Sequence, residues 1–225
     1  MSVEAIVLAG GLGTRLRSVV QDVPKPMAPV NGRPFLERLL EYWIGQGVRR
    51  FVLSVGYLSE AITRHFGSRW GGAAVDYSIE SEPLGTGGGF VKALDAIRSD
   101  AFLVMNGDTY FAVPLDEFLR FHESNQADWS MALFRSTDVK RYHGVSLAED
   151  GRIASLSGDD GTVNGGVYLV RRGLAWKAPQ RCSLENDLLP QALAGGWRLF
   201  GRVFDRPFVD IGVPQDYQSA GAIIQ

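Results

Sequence analysis

Residues 5–8 form an unbroken apolar run that stops at Gly10-Gly11, which predicts a buried strand feeding a backbone-rich loop. From Pro34 onward, Phe35, Leu39, Leu40, Trp43 and Ile44 recur at helical spacing, with Pro34 suited to a first turn and Gly47 to a C-terminal cap. Residues 51–55, 75–79 and 102–105 read as further strands, and residues 60–66 and 90–97 as the helices between them. Strands alternating with helices predict parallel pairing through right-handed crossovers and a sheet covered on both faces. Ligands then belong at the carboxyl ends of the strands.

The second half is less regular. A helix near residues 115–121, strands near 130–134 and 167–170, and a helix over 184–188 that stops before Pro190 give it an α+β character. No internal repeat, low-complexity tract or long linker interrupts the chain. We expect one domain with two lobes, about 1–110 and about 111–225, and a cleft between them.

Composition narrows the function. The 225 residues carry 23 Lys+Arg against 25 Asp+Glu, a formal charge of −2, so no whole-chain basic field exists to hold nucleic acid or an anionic membrane. Cys182 is the single cysteine, which excludes an intrachain disulfide, a CxxC redox pair and a thiolate zinc cluster, and fits a reducing cytoplasm. No stretch approaches the roughly 18 apolar residues of a membrane span. The chain is rich in glycine, with 27 residues, so loops that need close backbone approach are plentiful.

Candidate chemistry begins in the segment Leu8-Ala9-Gly10-Gly11-Leu12-Gly13-Thr14-Arg15-Leu16, a glycine-rich turn with an arginine inside it. Its backbone N–H groups suit phosphates. The dinucleotide fingerprint G-x-G-x-x-G fails at Leu16, which disfavours an NAD-dependent oxidoreductase, and the Gly-Lys-Ser/Thr of a P-loop is absent. Ten residues after Arg15, Lys25 is fixed between Pro24 and Pro26, a second candidate phosphate cation on a restricted backbone. Glu80-Ser81-Glu82-Pro83-Leu84-Gly85-Thr86-Gly87-Gly88-Gly89 joins a strand to a helix and would expose backbone to a flat base. Asp108 follows an apolar strand, and Asp210 lies late in the chain between apolar neighbours. Two such carboxylates suit Mg²⁺, which takes hard oxygen ligands and leaves the rest of its shell to water and substrate phosphates. Asn164-Gly165-Gly166 before a strand and Glu185 at a helix start could hydrogen-bond a hydroxyl-rich ligand. His65, His122 and His143 are scattered without metal-ligand spacing, and no nucleophile triad is present.

Together these residues resemble the sugar-1-phosphate nucleotidyltransferases, whose opening G-G-x-G-T-R-L followed by P-K-P is matched by Gly10 to Leu16 and Pro24-Lys25-Pro26. The likeness continues through Glu82 to Gly88, Asn106-Gly107-Asp108, Asn164 to Tyr168 and Val209 to Tyr217, nearly the whole chain. Within the family the chain is most similar to the D-glycero-α-D-manno-heptose 1-phosphate guanylyltransferases, notably in Pro24 to Pro29 and Pro34 to Glu37. The resemblance implies a Rossmann-like α/β fold of GT-A-like type, a mostly parallel mixed sheet flanked by helices. It implies GTP and a sugar 1-phosphate as substrates, Mg²⁺ as cofactor, and a product used in bacterial surface polysaccharide. A uridylyltransferase and a non-catalytic nucleotide-sugar sensor stand as rivals. By the same resemblance Leu8, Ala9, Gly10, Gly11, Gly13, Thr14, Gly85 and Thr86 hold the nucleotide, and Arg15, Lys25 and Asp108 act on the phosphates. Asp108 and Asp210 bind the metal, and Gly144, Asn164 and Glu185 hold the sugar. Many relatives place a Glu-Lys pair before the Asn-Gly-Gly strand, but here residues 155–160 read Ser-Leu-Ser-Gly-Asp-Asp, so another cation, Lys140 or Arg141, is expected to hold the sugar phosphate. Homodimerisation is an open expectation, since nothing in the sequence fixes an interface.

Overall fold

The computed structural model describes residues 3–11, 13, 16, 20, 23–137, 142–176 and 179–224. Strand β1 (Val3–Leu8) is followed by a 3₁₀ turn at Lys25–Met27, the short hairpin β2 (Pro29–Val30) and β3 (Arg33–Pro34), and helix α1 (Phe35–Gly45). Then come β4 (Val48–Val55), α2 (Ser59–Phe66), β5 (Arg69–Trp70), β6 (Ala73–Ile79), α3 (Gly85–Ala93), β7 (Ala101–Asn106) and β8 (Thr109–Phe111). The second half carries α4 (Leu115–Ser124), β9 (Trp129–Arg135), β10 (Ser146–Leu147), β11 (Ile153–Ser155) and β12 (Thr162–Arg171). It closes with a π turn at Leu184–Leu188, α5 (Leu189–Ala194), β13 (Leu199–Val203), β14 (Phe208–Asp210) and α6 (Pro214–Ile223).

Eight strands form one sheet in the order β13-β9-β12-β7-β1-β4-β6-β5. Strands β7, β1, β4 and β6 pair in parallel, as expected from strands alternating with helices. Strand β12 runs antiparallel to both β7 and β9, which makes the sheet mixed and joins the two halves of the chain in one domain. Alternation along the strands sends Ala5, Val7, Leu53, Met105 and Leu169 to one face, with α1, α2, α4 and α6. Ile6, Val52, Val104 and Tyr168 go to the other, with α3 and α5. Both faces are therefore covered. No helix among the described residues is long and apolar enough to cross a membrane.

Three local expectations need correction. Helix α3 starts at Gly85, inside the segment expected to be a base-facing loop, because the Cys182 carbonyl accepts the Gly87 N–H at 2.9 Å and supplies the partner that this glycine run lacks. The helix near residue 184 does not stop before Pro190. Its first turn is a wide π turn in which Leu189 N–H reaches Leu184 C=O, and α5 starts there, so the proline occupies a first helical turn where its missing N–H costs nothing. Asn164-Gly165-Gly166 does not precede a strand but lies within β12, as an irregularity between Asn164 and Val167. Gly166 has φ +67°, and a Cβ on Gly165 would strike the Phe111 ring, so both glycines are geometric requirements of the bulge.

The histidines have structural roles. His122 is buried and bonded through Nδ1 to Ser130 Oγ at 2.8 Å, and burial pushes its pKa down to about 4. His65 Nε2 lies 2.6 Å from buried Glu37 and packs on Trp70.

Candidate active site

The four central parallel strands deliver their carboxyl ends to one cavity of about 370 Å³, a usual size for a small-molecule site. Leu8, Ala9, Gly10, Gly11 and Gly13 contribute one wall after β1, and Ser54 and Glu80 a second at the ends of β4 and β6. Asn106 and Asp108 close the end of β7. Gly85, Thr86 and Gly89 of α3, with Lys25, Pro26, Pro83 and Arg181, complete the lining. Every described residue expected to hold the nucleotide therefore lines one cavity, as do Lys25 and Asp108. Thr14 and Arg15 lie outside the described residues, as do Lys140 and Arg141.

The Lys25 ammonium is in contact with Asp108 Oδ2 and lies 3.9 Å from Asp210 Oδ1. The backbone explains the meeting. β8 and β14 pair antiparallel, with Asp210 opposite Thr109, so the two carboxylates are set side by side although they are far apart in the chain. Pro24 and Pro26 hold Lys25 in its 3₁₀ turn against them. Gly212 leaves the space open: its N–H donates to Asp210 Oδ1 at 2.6 Å, and a Cβ there would come within 2.9 Å of Lys25 Nζ. Among the described residues no group of three or more His, Cys, Asp or Glu side chains is placed to hold a metal. The pair Asp108 and Asp210 nevertheless fits a divalent ion of the magnesium type: the donors are hard oxygens, a cation already sits between them, and substrate phosphates would complete the shell.

Asn164 and Glu185 do not line the cavity; they stand behind Thr86, which does. Asn164 Nδ2 donates to Tyr168 OH at 2.7 Å, and Tyr168 OH donates to Glu185 Oε1 at 3.5 Å. Glu185 Oε2 accepts from Thr86 Oγ1 at 3.0 Å, and Thr86 Oγ1 accepts from Leu184 N–H at 2.9 Å. Burial and the Glu185 charge push the Tyr168 hydroxyl well above its ordinary pKa, so it stays a donor. The relay ties β12 to α3. Gly144 is buried and bridges to Val163, and the adjacent His143 carbonyl accepts from Asn164 N–H at 2.9 Å, so this backbone lies next to Asn164. The stretch 155–160 offers no cation: Asp160 Oδ1 accepts from Thr162 N–H, and Gly158 packs on Val145 and Ser146.

Among the cavity residues, Ser54 and Arg181 escaped the sequence reading, and Glu80 was read only as the first residue of the segment joining a strand to a helix. Glu80 directly follows β6; its Oε1 accepts from Ser54 Oγ at 3.3 Å and its Oε2 from Leu84 N–H at 3.0 Å. Cβ atoms on Gly10 or Gly89 would meet Oε1 at 2.5 and 2.7 Å, so both glycines make room for this carboxylate. The available signal was a charged residue at the carboxyl end of an apolar strand. Arg181 gave no signal. It reaches the cavity only because Cys182 N–H donates to Leu84 C=O, Cys182 C=O accepts from Gly87 N–H, and Gln180 donates to Glu82 at 2.8 Å.

Comparison with known proteins agrees with this geometry. The family pattern described as Nucleotidyl transferase matches residues 4–225. The chain is 39% identical to D-glycero-alpha-D-manno-heptose 1-phosphate guanylyltransferase of Aneurinibacillus thermoaerophilus over 99% of this chain and 98% of that protein. It is 38% identical to the enzyme of the same description from Campylobacter jejuni, over 95% of this chain and 96% of that one. The crystal structure of HddC from Yersinia pseudotuberculosis complexed with GMP-PN superposes with a TM-score of 0.86 at 34% identity, covering 99% of this chain and all of that one. With the fold, the cavity and nearly the full length in agreement, the chain belongs to the nucleotidyl transferase family.

Proposed function

We propose that the chain transfers GMP from GTP to D-glycero-α-D-manno-heptose 1-phosphate, giving the GDP-sugar and pyrophosphate. Its relatives of that description, similar over nearly their full length, support the substrate pair. The observation that carries the choice of base is Glu80. Its carboxylate stands in the cavity wall beside the Gly10 backbone with accepting capacity left on both oxygens. Guanine presents two adjacent donors, N1–H and the N2 amino group, and a carboxylate accepts both. Uracil presents one N–H flanked by two carbonyls that a carboxylate repels.

In this reading the lobe of about residues 1–110 holds the nucleotide, with the Leu8 to Gly13 backbone and Gly85-Thr86 around base and phosphates. The lobe of about 111–225 holds the sugar through Asn164, Glu185 and the Gly144 N–H. An oxygen of the sugar phosphate attacks the α-phosphorus in line, and pyrophosphate leaves. A phosphate monoester carries about −1.5 to −2 charge near neutral pH, so the nucleophile is already ionised and no side chain needs to take its proton. The barrier is repulsion and positioning. Arg15 and Lys25 hold the phosphates and balance charge growing on the leaving group. Arg181, which makes no hydrogen bond or ion pair among the described residues, adds a positive charge to the cavity that lacks the relatives' lysine. Asp108 and Asp210 hold Mg²⁺, which supplies charge neutralisation of the reacting phosphates when bound.

Pyrophosphate release across four ribonucleoside triphosphates and a panel of sugar 1-phosphates tests the reading. GTP with the heptose 1-phosphate should be the preferred pair. Glu80→Gln should lower kcat/KM for GTP by about 10²-fold or more, because a site built around a hydrogen-bonding carboxylate then mispairs with its base, while UTP loses little. An unchanged GTP preference in that variant would remove Glu80 from base reading, and a wild type that prefers UTP would move the chain to the uridylyltransferases.

A further inference from the structure

We infer that Lys25 is the resident cation of the carboxylate pair before any metal binds, so that the same ammonium must leave Asp108 and Asp210 for a divalent ion to occupy them and becomes available to phosphates only then. The inference rests on the reading of the two aspartates as the metal-holding pair and adds a competition within it.

The geometry is that of a shared seat. Lys25 Nζ touches Asp108 and lies 3.9 Å from Asp210, so it stands where an ion bridging the two carboxylates would stand. The lysine side chain is only 11% exposed, against 33% for Asp108 and 25% for Asp210, so the ammonium has given up most of its water to these two groups. A divalent ion brought between the two carboxylates would stand in van der Waals range of that ammonium, where like charges repel, so occupation is exclusive. Lys25 cannot withdraw by moving its backbone. Pro24 and Pro26 fix the turn, and its Cβ is packed where a Cβ on Gly13 would come within 2.9 Å. Rotation about the side-chain bonds is the remaining route, and the cavity that Lys25 lines is where a polyphosphate would meet it. Lysine release and ion binding are thus one equilibrium, and each phosphate ligand that holds Lys25 must tighten metal binding by the same factor that metal tightens the phosphate.

The test uses Mn²⁺ as probe, titrated by electron paramagnetic resonance into the full chain without nucleotide or sugar phosphate. Lys25→Met should tighten Mn²⁺ by about tenfold or more relative to wild type, a normal size for coupling between two sites. Lys25→Arg, which keeps the competing charge, should stay near wild type, and Asp108→Asn should abolish binding in either background. Equal or weaker Mn²⁺ affinity in Lys25→Met than in wild type would overturn the inference, as would no binding in both. Should Lys25→Met not fold, the wild-type protein decides: the side-chain ¹⁵N resonance of Lys25 should shift on adding Mg²⁺ alone, and a resonance that stays put as Mg²⁺ saturates overturns the competition. Neither readout involves GTP or heptose, so a wrong substrate pair would leave this result standing, and a failed competition would leave the transferase reading untouched.

Discussion

The chain has two glycine-rich segments at the same cavity, and Gly11 of the first meets surroundings unlike those of Gly85, Gly87 and Gly88 in the second. In the first, Gly11 has nothing among the described residues within 4 Å of where a Cβ would project, so its face is open toward the cavity it lines, whereas Cβ atoms on Gly10 and Gly13 would meet Glu80 and Lys25. In the second, Cβ atoms on Gly85, Gly87 and Gly88 would collide with the backbone or side chains of Gln180, Cys182 and Ser183. At those positions the missing side chain admits protein, and Gly85 lines the cavity besides. They let residues 180–183 dock on the first turn of α3, and that docking sets Arg181 at the cavity and brings Thr86 to Glu185. A run of glycines marks close approach; only the fold says what approaches.

The largest effect that separates the two segments belongs to Arg15, carried by the first. Arg15→Ala should lower kcat by about 10²–10³-fold, roughly 3–4 kcal/mol of transition-state stabilisation, with little change in thermal stability. Near-normal turnover would deny the first segment its chemistry. Next, Gly88→Ala places alanine in a helix, a change that propensity alone would reward by about 1 kcal/mol. Its Cβ would overlap the Gln180 carbonyl and sit 2.8 Å from Leu84 Cβ, so we expect a net loss of about 1–3 kcal/mol, read as a lowered Tm. A variant that melts at or above the wild type would show that the second segment is not packed as described. The smallest stability effect is expected for Gly11→Ala, within about 0.5 kcal/mol of wild type because its new methyl meets none of the described residues. Its KM for GTP should rise, and a fall in Tm without a change in KM would reverse the comparison.

What could be read from the sequence follows the same division between local and distant causes. β1, β4 and β7 were legible because parallel strands buried on both faces are largely continuous apolar runs, and β6 because Val75, Tyr77 and Ile79 alternate with Asp76 and Ser78. Lys25 was legible from its flanking prolines, and Asp108 from its place after an apolar strand. The start of α3, the route through Pro190 and the bulge inside β12 were not. The first depends on Cys182 and the last on Phe111, partners far along the chain, and the π turn that leads into Pro190 is tied at Leu184 N–H to Thr86 Oγ1, 98 residues away. The three-residue strands β8 and β14 are too short to carry a period, yet their pairing is what brings Asp210 to Asp108. Glu80 was visible as a residue but not as a wall of the cavity, which needed the ends of β4 and β6 to be neighbours.

The ribbon of β8 with β14 also sets the order in which the working parts arrive during synthesis. Lys25 and Asp108 emerge from the ribosome first, and at about 5–20 residues per second the strand that carries Asp210 follows some 5–20 s later. The nascent chain can close its central sheet strands β4, β1 and β7 early, with the lysine already paired to one carboxylate, while the second has yet to be made. On the reading of the two aspartates as the metal-holding pair, catalytic competence waits for that last strand, which emerges only after Arg181 and Cys182 have completed the cavity wall beside α3.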